Sequence, residues 1–352
     1  MRAELYTAGE RMELRCAVPW IARVLAEGAA GQLAGAAGAA APDGAAAPDV
    51  RVTVERSAAA FDVAGWQVLT RDAWCRAGQV VMRDACSSGL DLLVTADGAT
   101  LDILARWRPR VTGRAAAAVL RARGRLLIRA VLLQYPALWR GQLRGRAPLH
   151  AAACGTGPGG QTVLLAGPGG VGKSTLVHGE LTRGAVATCD NLCLSDGRFT
   201  WGVAEPLRVP AARALPGRAL PGPGRRMPHG RREVPWPARA DRLLPDQLVV
   251  LVRGGTGTPT VACCDPAEAA RHLTAGTYMA GELRRYWAFA ATLALGTGAG
   301  ESHPAVRETA AALSARLPCL KVVLGGRPGV PLRDLVGAGG GNGELTMLGG
   351  QA

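Results

Sequence analysis

Val163-Leu164-Leu165-Ala166-Gly167-Pro168-Gly169-Gly170-Val171-Gly172-Lys173-Ser174-Thr175-Leu176-Val177 is the stretch from which the rest of the chain is read. An apolar run of strand length ends at Gly167, a glycine-rich loop follows, and a helix-competent segment begins at Lys173. Gly167, Gly172, Lys173 and Ser174 meet the spacing G-x-x-x-x-G-K-[ST], in the strand–loop–helix context that gives the pattern its meaning. The residue types follow from the chemistry of phosphate. Glycines let successive backbone N–H groups converge on an anion, and a helix start adds partial positive charge. Lys173 is then expected to meet the β- and γ-phosphates of ATP, and the Ser174 hydroxyl a Mg2+ ion. The predicted binding loop comprises Gly167, Pro168, Gly169, Gly170, Val171, Gly172, Lys173, Ser174 and Thr175.

Glycine-rich loops also arise without nucleotide in a chain of 48 glycines, but lysine usage argues for the phosphate reading. Among 41 Lys and Arg residues, lysine occurs only at Lys173 and Lys321. A lysine kept inside this loop fits a position needing a compact point charge on a flexible stem.

The totals set the frame. A length of 352 residues accommodates one large or two ordinary domains. Hydrophobic content of 48% and charged content of 19% describe a globular chain with a sizeable core. The net charge of +14 suits anionic partners, but aromatics at 4% leave few stacking platforms, which argues against nucleic acid. Nine cysteines without a C-x-x-C pair read as reduced thiols of a cytoplasmic protein. No apolar run reaches the roughly 18 residues of a membrane span. The start of the chain, with Glu4 and Glu10, lacks the apolar region of a secretory signal.

Outward from the loop, the expected fold class is α/β: a P-loop mixed-sheet nucleotide-binding domain with a smaller N-terminal α+β domain. Residues 1–110 read as a small antiparallel β-rich domain interrupted by an Ala/Gly-rich flexible loop at 27–49. Its strand runs lie near 50–54, 66–69, 80–82, 90–95 and 100–104, with a hairpin at Asp97-Gly98. Trp66 and Trp74 are expected in its core. Residues 111–146 have helical spacing and form a connection that Pro136 should break in two.

From 147 to 336 runs the P-loop domain, its first strand at 148–154 turning back into the loop strand. Gly184 should stop the loop helix. The apolar strand after it presents Asp190 at its carboxyl end, where an acid faces a nucleotide crevice. Asp190 is thus a metal ligand or base, or else a turn aspartate before Asn191. The Pro/Arg-rich insertion 206–237 reads either as a substrate-recognising loop or as a solvated insertion. Strand 248–252 has no acid at its end, Asp265 caps a helix, 282–295 is an apolar helix, and 320–324 is a final strand. His272 and His303 read as structural, Arg284 and Arg285 as helix-flanking. Residues 337–352 read as a disordered tail.

The series Leu149-His150-Ala151-Ala152, then Gly167 to Ser174, then Arg183-Gly184-Ala185 leading to Cys189-Asp190-Asn191 resembles the HPr kinase/phosphorylase superfamily. It is most similar to the HPr-kinase-related branch, some members of which phosphorylate ribosomally made peptides. The likeness is densest over 145–210 and looser at 317–324. It implies a kinase-like P-loop domain akin to the C-terminal domain of HPr kinase, a fold shared with phosphoenolpyruvate carboxykinases. It also implies ATP and Mg2+ as cofactors and a serine-type hydroxyl as acceptor.

By this resemblance the catalytic set is Asp190, His150 and Lys173, with His150 near the phosphates. The metal side is Ser174, Asp190, Asn191 and Glu205. Asp190 matches the first of the family's paired aspartates, which serve the reacting hydroxyl and the metal. Asn191 takes the place of the second; its carbonyl can accept a metal or hydrogen bond, but the amide cannot take a proton. The family's glycine-rich signature gives way to 206–237, which speaks against HPr as substrate and against phosphorylase activity. The implied function is an ATP-dependent kinase acting on a peptide, a protein or a small hydroxylated metabolite, with peptide natural-product modification as one setting. The alternative is a nucleotide-binding regulatory module that has lost transfer. Relatives often form hexamers, so the resemblance also admits a homo-oligomer.

Overall fold

In the computed structural model the described residues are 1–35, 47–110, 121–157, 159–210, 225–227, 231–237, 239–255, 257–325 and 330–337. Residues 36–46 of the Ala/Gly-rich loop, 111–120 of the helical connection, 211–224 and 228–230 of the insertion and 338–352 of the tail lie outside them. The chain is mixed α/β with several sheets, and it divides into two units. One contains Met1–Gly145 with Arg284–Pro304, the other Arg146–Leu283 with Ala305–Ala352.

The first unit is built on nine strands. Their order is Ala34–Gly35, Arg2–Thr7, Glu10–Cys16, Val50–Glu55, Leu101–Trp107, Leu90–Ala96, Gln79–Met82, Ala73–Arg76 and Gln67–Thr70. Alternation drives the pairing: Val50, Val52 and Val54 are buried while Arg51 and Thr53 are only half-buried. The hairpin forms as expected. Ala96 pairs with Leu101, and Asp97 Oδ1 accepts from the amides of Ala99 and Thr100.

A purely antiparallel sheet is not what forms. Glu10–Cys16 runs parallel to Val50–Glu55, which runs parallel to Leu101–Trp107. The helix Pro19–Gly28, burying Ile21, Val24 and Leu25, is the crossover that parallel strands require. Trp66 and Trp74 are half-buried rather than core. The guanidinium groups of Arg76 and Arg83 cover their rings at 5.3 and 4.4 Å.

Pro136 does not split the helical segment. Arg121–Arg129 passes through a π-helical stretch, Ala130–Gln134, directly into Tyr135–Gln142. Proline lacks an N–H and its ring crowds the carbonyl four residues back; widening the preceding turn relieves that clash. The Tyr135 amide accordingly donates to the Ala130 carbonyl, five residues back. Helix Arg284–Thr297 belongs to this unit and not with the rest of 147–336. Tyr286 and Phe289 pack on Tyr135, and Gly296 lies so close to a strand that an added Cβ would stand 2.4 Å from Val80 Cγ2.

The second unit centres on a six-stranded mixed sheet in the order Ala187–Cys189, Ala151–Gly155, Thr162–Ala166, Gln247–Arg253, Cys319–Leu324, Thr260–Cys263. Thr162–Ala166, Gln247–Arg253 and Cys319–Leu324 run parallel; the flanking strands are antiparallel. Central parallel strands are covered on both faces, which explains their unbroken apolar runs. Val163 and Leu165 form one core with Val177 and Leu181 of the helix Lys173–Thr182. Helix Pro266–Tyr278 is capped by Asp265, whose Oδ1 accepts from the Glu268 amide at 3.0 Å. No helix among the described residues is long and apolar enough to cross a membrane.

A four-stranded sheet, Ala147–Leu149, Cys193–Ser195, Thr200–Gly202, Arg242–Leu243, adjoins the central one in sequence at two places. His150 falls between Ala147–Leu149 of one sheet and Ala151–Gly155 of the other, and Asp190–Leu192 falls between Ala187–Cys189 and Cys193–Ser195. Side chains at such crossings are placed by two sheets at once. Gly202 lets the sheets approach: an added Cβ would lie 1.8 Å from the Thr188 carbonyl oxygen, a backbone atom. Gly202→Ala is therefore expected to destabilise this unit by about 3 kcal/mol or more, read as a lowered urea midpoint. A third small sheet, Leu207–Pro210, Arg231–Val234, Arg225–Met227, is the described part of the Pro/Arg-rich insertion.

Candidate active site

The loop between Thr162–Ala166 and Lys173–Thr182 is shaped by its glycines. Gly167 has φ +148° and Gly172 φ +126°, and a Cβ on Gly167 would meet the Leu251 carbonyl oxygen at 2.7 Å. Only glycine fits there. The loop forms one side of a cleft of about 500 Å³, whose other sides include His150, Asn191, Arg208, Arg253 and the stretch from His272 to Glu282.

Lys173 is buried at the helix start, and its Nζ donates to the carbonyls of Gly167 at 2.6 Å and Pro168 at 3.3 Å. Burial pushes its pKa down to about 8, against the pull of Glu282 and Asp190. The ammonium is held by backbone oxygens alone, an arrangement readily exchanged for stronger anionic acceptors.

The sequence-predicted residues converge on this point. The backbone N–H of His150 donates to Thr277 Oγ1 at 3.1 Å, and its Nε2 lies 3.1 Å from Asn191 Oδ1. Burial, with the charge of Lys173, lowers the His150 pKa to about 4, so the ring is neutral at neutral pH. With the Asn191 amide oriented this way, the ring proton sits on Nε2. Asn191 Oδ1 thus faces the His150 ring. Because an unfolded histidine takes up a proton near pH 6.5 and His150 does not until about 4, stability falls on acidification across that window. The wild type should lose up to about 3 kcal/mol between pH 7.5 and 4.5 relative to His150→Gln in urea unfolding.

Asp190 and Glu205 are almost wholly buried, at 1% and 2% exposure, and neither reaches the cleft surface. Burial raises the pKa of Asp190, partly countered by Arg208 and the Ser174 hydroxyl. Burial also pushes Glu205 up to about 8, with Asp190 and Glu282 adding to the rise and Arg208 opposing it. Asp190 Oδ1 and Glu205 Oε1 are buried without a hydrogen-bond partner. Asp190, which the Ser174 hydroxyl reaches, and Glu205, tied to Arg208, each keep one carboxylate oxygen open, a donor set that suits a hard cation completed by phosphate oxygens and water. Among the described residues there is no group of three or more His, Cys, Asp or Glu that could hold a metal ion.

Two residues with no sequence signal join the cluster. Arg208, on the strand Leu207–Pro210, donates from Nη2 to Glu205 at 3.2 Å and from Nη1 to Glu282 at 2.9 Å. Burial acts against its charge, but Glu205, Glu282 and Asp190 hold it protonated. Glu282 follows the helix Pro266–Tyr278 and lines the cleft. Burial favours its neutral form, yet the Arg208 charge outweighs this and holds its carboxyl below the usual range. His272, expected to be structural, also lines the cleft, 3.6 Å from Glu268. All nine cysteines are free, most of them buried.

Compared with known proteins, the chain matches no family model and no curated relative.

Proposed function

We propose that this chain is an ATP-dependent kinase of P-loop architecture that transfers the γ-phosphate to a serine-type hydroxyl of a peptide, a protein or a small metabolite. The observation that supports this reading most is the pairing of a glycine-shaped loop with orphaned oxygens on two buried carboxylates, Asp190 and Glu205, in the same unit. A loop that merely joins a strand to a helix has no use for half-satisfied buried acids, which are costly to keep. The resemblance to the HPr kinase/phosphorylase superfamily and the retention of lysine at Lys173 point the same way.

In this reading Gly167 to Thr175 cradle the phosphates, Lys173 exchanges its loop carbonyls for phosphate oxygens, and His150 contributes a neutral hydrogen-bonding ring. Ser174, Asp190 and Glu205 would hold Mg2+, with Asn191 orienting His150. Mg2+ when bound would offset negative charge on the phosphates. Positioning and charge neutralisation supply most of such catalysis, so few residues need special chemistry. Nine free thiols accord with a cytoplasmic setting.

The test is intact-mass analysis after incubation with Mg2+·ATP and serine-containing peptides, including those encoded beside it. A peptide gaining one phosphate, and not with Asp190→Ala, is the expected result. Mg2+·ATP binding without phosphorylation of any peptide or hydroxylated metabolite would favour the regulatory module.

A further inference from the structure

Resting on the kinase reading, we propose that Glu282 is the carboxylate that receives the acceptor hydroxyl, and that the cleft wall from Ala275 to Glu282 is the acceptor subsite. The nucleotide-side residues leave this position open. Asp190, the acid singled out by sequence, is 1% exposed and absent from the cleft surface. Glu205 is equally enclosed. Among the described residues Glu282 is the carboxylate that lines the cleft, its side chain 30% exposed.

Its surroundings restrict what it can bind. In this reading Lys173 marks where the β- and γ-phosphates go, and Glu282 lines the same cleft as Lys173. A carboxylate so placed repels phosphate oxygens. A metal is also disfavoured, since Arg208 already sets a positive charge 2.9 Å from Glu282 Oε1. An uncharged hydroxyl donating to the carboxylate meets neither objection. Arg208 meanwhile separates two kinds of acid. Its Nη2 faces buried Glu205 and its Nη1 faces Glu282, so one guanidinium fixes the metal-side and the acceptor-side carboxylates in register.

The wall beside Glu282 suits an acceptor that arrives in extended form. Ala275, Gly276, Ala280 and Gly281 line it with little side-chain bulk, and a Cβ added at Gly281 would meet nothing within 4 Å. Met279, 80% exposed, adds an apolar rim. His150, 4% exposed, also lines the cleft. Such a wall fits an uncharged stretch of peptide carrying serine. In the transfer step the serine oxygen bonds to Pγ and the bond from Pγ to the β,γ-bridging oxygen breaks, its electron pair leaving on ADP. The hydroxyl proton passes to Glu282.

The test compares full-length wild type, Glu282→Gln and Glu282→Asp for three quantities: Mg2+·ATP affinity, ADP release with water as acceptor, and phosphate incorporation into a pool of uncharged serine hexapeptides. Glu282→Gln should bind Mg2+·ATP within about twofold of wild type, and lose about a hundredfold or more in both ADP release and peptide labelling. Glu282→Asp keeps the ion pair with Arg208, guarding against misfolding, and should fall between the two. Wild-type transfer left unchanged in both variants, or a tenfold loss of Mg2+·ATP affinity in Glu282→Gln, overturns the assignment of Glu282 alone. A wild type that fails to bind Mg2+·ATP overturns the kinase reading beneath it. Binding with neither ADP release nor labelling overturns the acceptor subsite and its Glu282 assignment.

Discussion

Replacing Lys173 by methionine should cut phosphotransfer by about a hundred- to a thousandfold and leave the protein at least as stable as wild type. The first half follows from losing the cation that faces the β- and γ-phosphates. The second follows from burial. Lys173 is 5% exposed and its partners are two neutral carbonyls, so its charged form is strained. The sign can be checked through pH. The folded pKa is about 8 against an ordinary 10.5. Between those values the unfolded chain holds a proton that the folded chain has shed, so stability rises with pH. Below pH 8 the penalty is fully present, up to about 3 kcal/mol. Urea unfolding at pH 7.5 and 10 should show this gain in wild type and not in Lys173→Met. A variant that instead unfolds at pH 7.5 would make Lys173 a structural residue.

That Lys173 stands out in the sequence while Arg208 and Glu282 do not has a physical basis. The glycine-rich loop is a local structure: its glycines, lysine and hydroxyl lie within one short stretch, so a single sequence pattern shows them together. Asp265 at a helix cap and Asp97 in a hairpin are legible for the same reason. Arg208 and Glu282 are not, because their role exists only once chain segments 74 residues apart meet. Arg208 is one arginine among several in a Pro/Arg-rich tract, and what distinguishes it is the pair of carboxylates it faces. Glu282 follows a helix whose periodicity says nothing of a turn beyond its end. Helix Arg284–Thr297 shows the same limit: an apolar helix declares that it will be buried, not against which sheet. The parallel strands of the first unit did leave a trace, an amphipathic segment at 19–28 between two strand runs, masked by the Ala/Gly tract that follows it.

Asp190→Asn should abolish the protein's response to Mg2+, stabilise it when metal-free, and reduce phosphotransfer about a thousandfold. The reasoning starts from a carboxylate that the fold buries and leaves incompletely satisfied. Its pKa is raised by burial. A raised carboxyl binds its proton more tightly in the folded chain, so stability present at low pH is lost as pH rises through the folded value. At neutral pH Asp190 therefore weighs against folding. The amide removes the charge at constant shape, and Arg208 keeps Glu205 and Glu282 as counterions. Lifting an unsatisfied buried group is worth about 1–3 kcal/mol, or several degrees in melting temperature. In the wild type Mg2+ should raise the melting temperature, since a cation bound to the folded state alone stabilises it. Asp190→Asn, already relieved, should show almost no such rise. The thousandfold loss in rate corresponds to about 4 kcal/mol, the several kcal/mol that a correctly held cation contributes to a phosphoryl transition state. Stability and activity thus move in opposite directions at Asp190. A turn aspartate present only to shape the crossing between two sheets would lose both together.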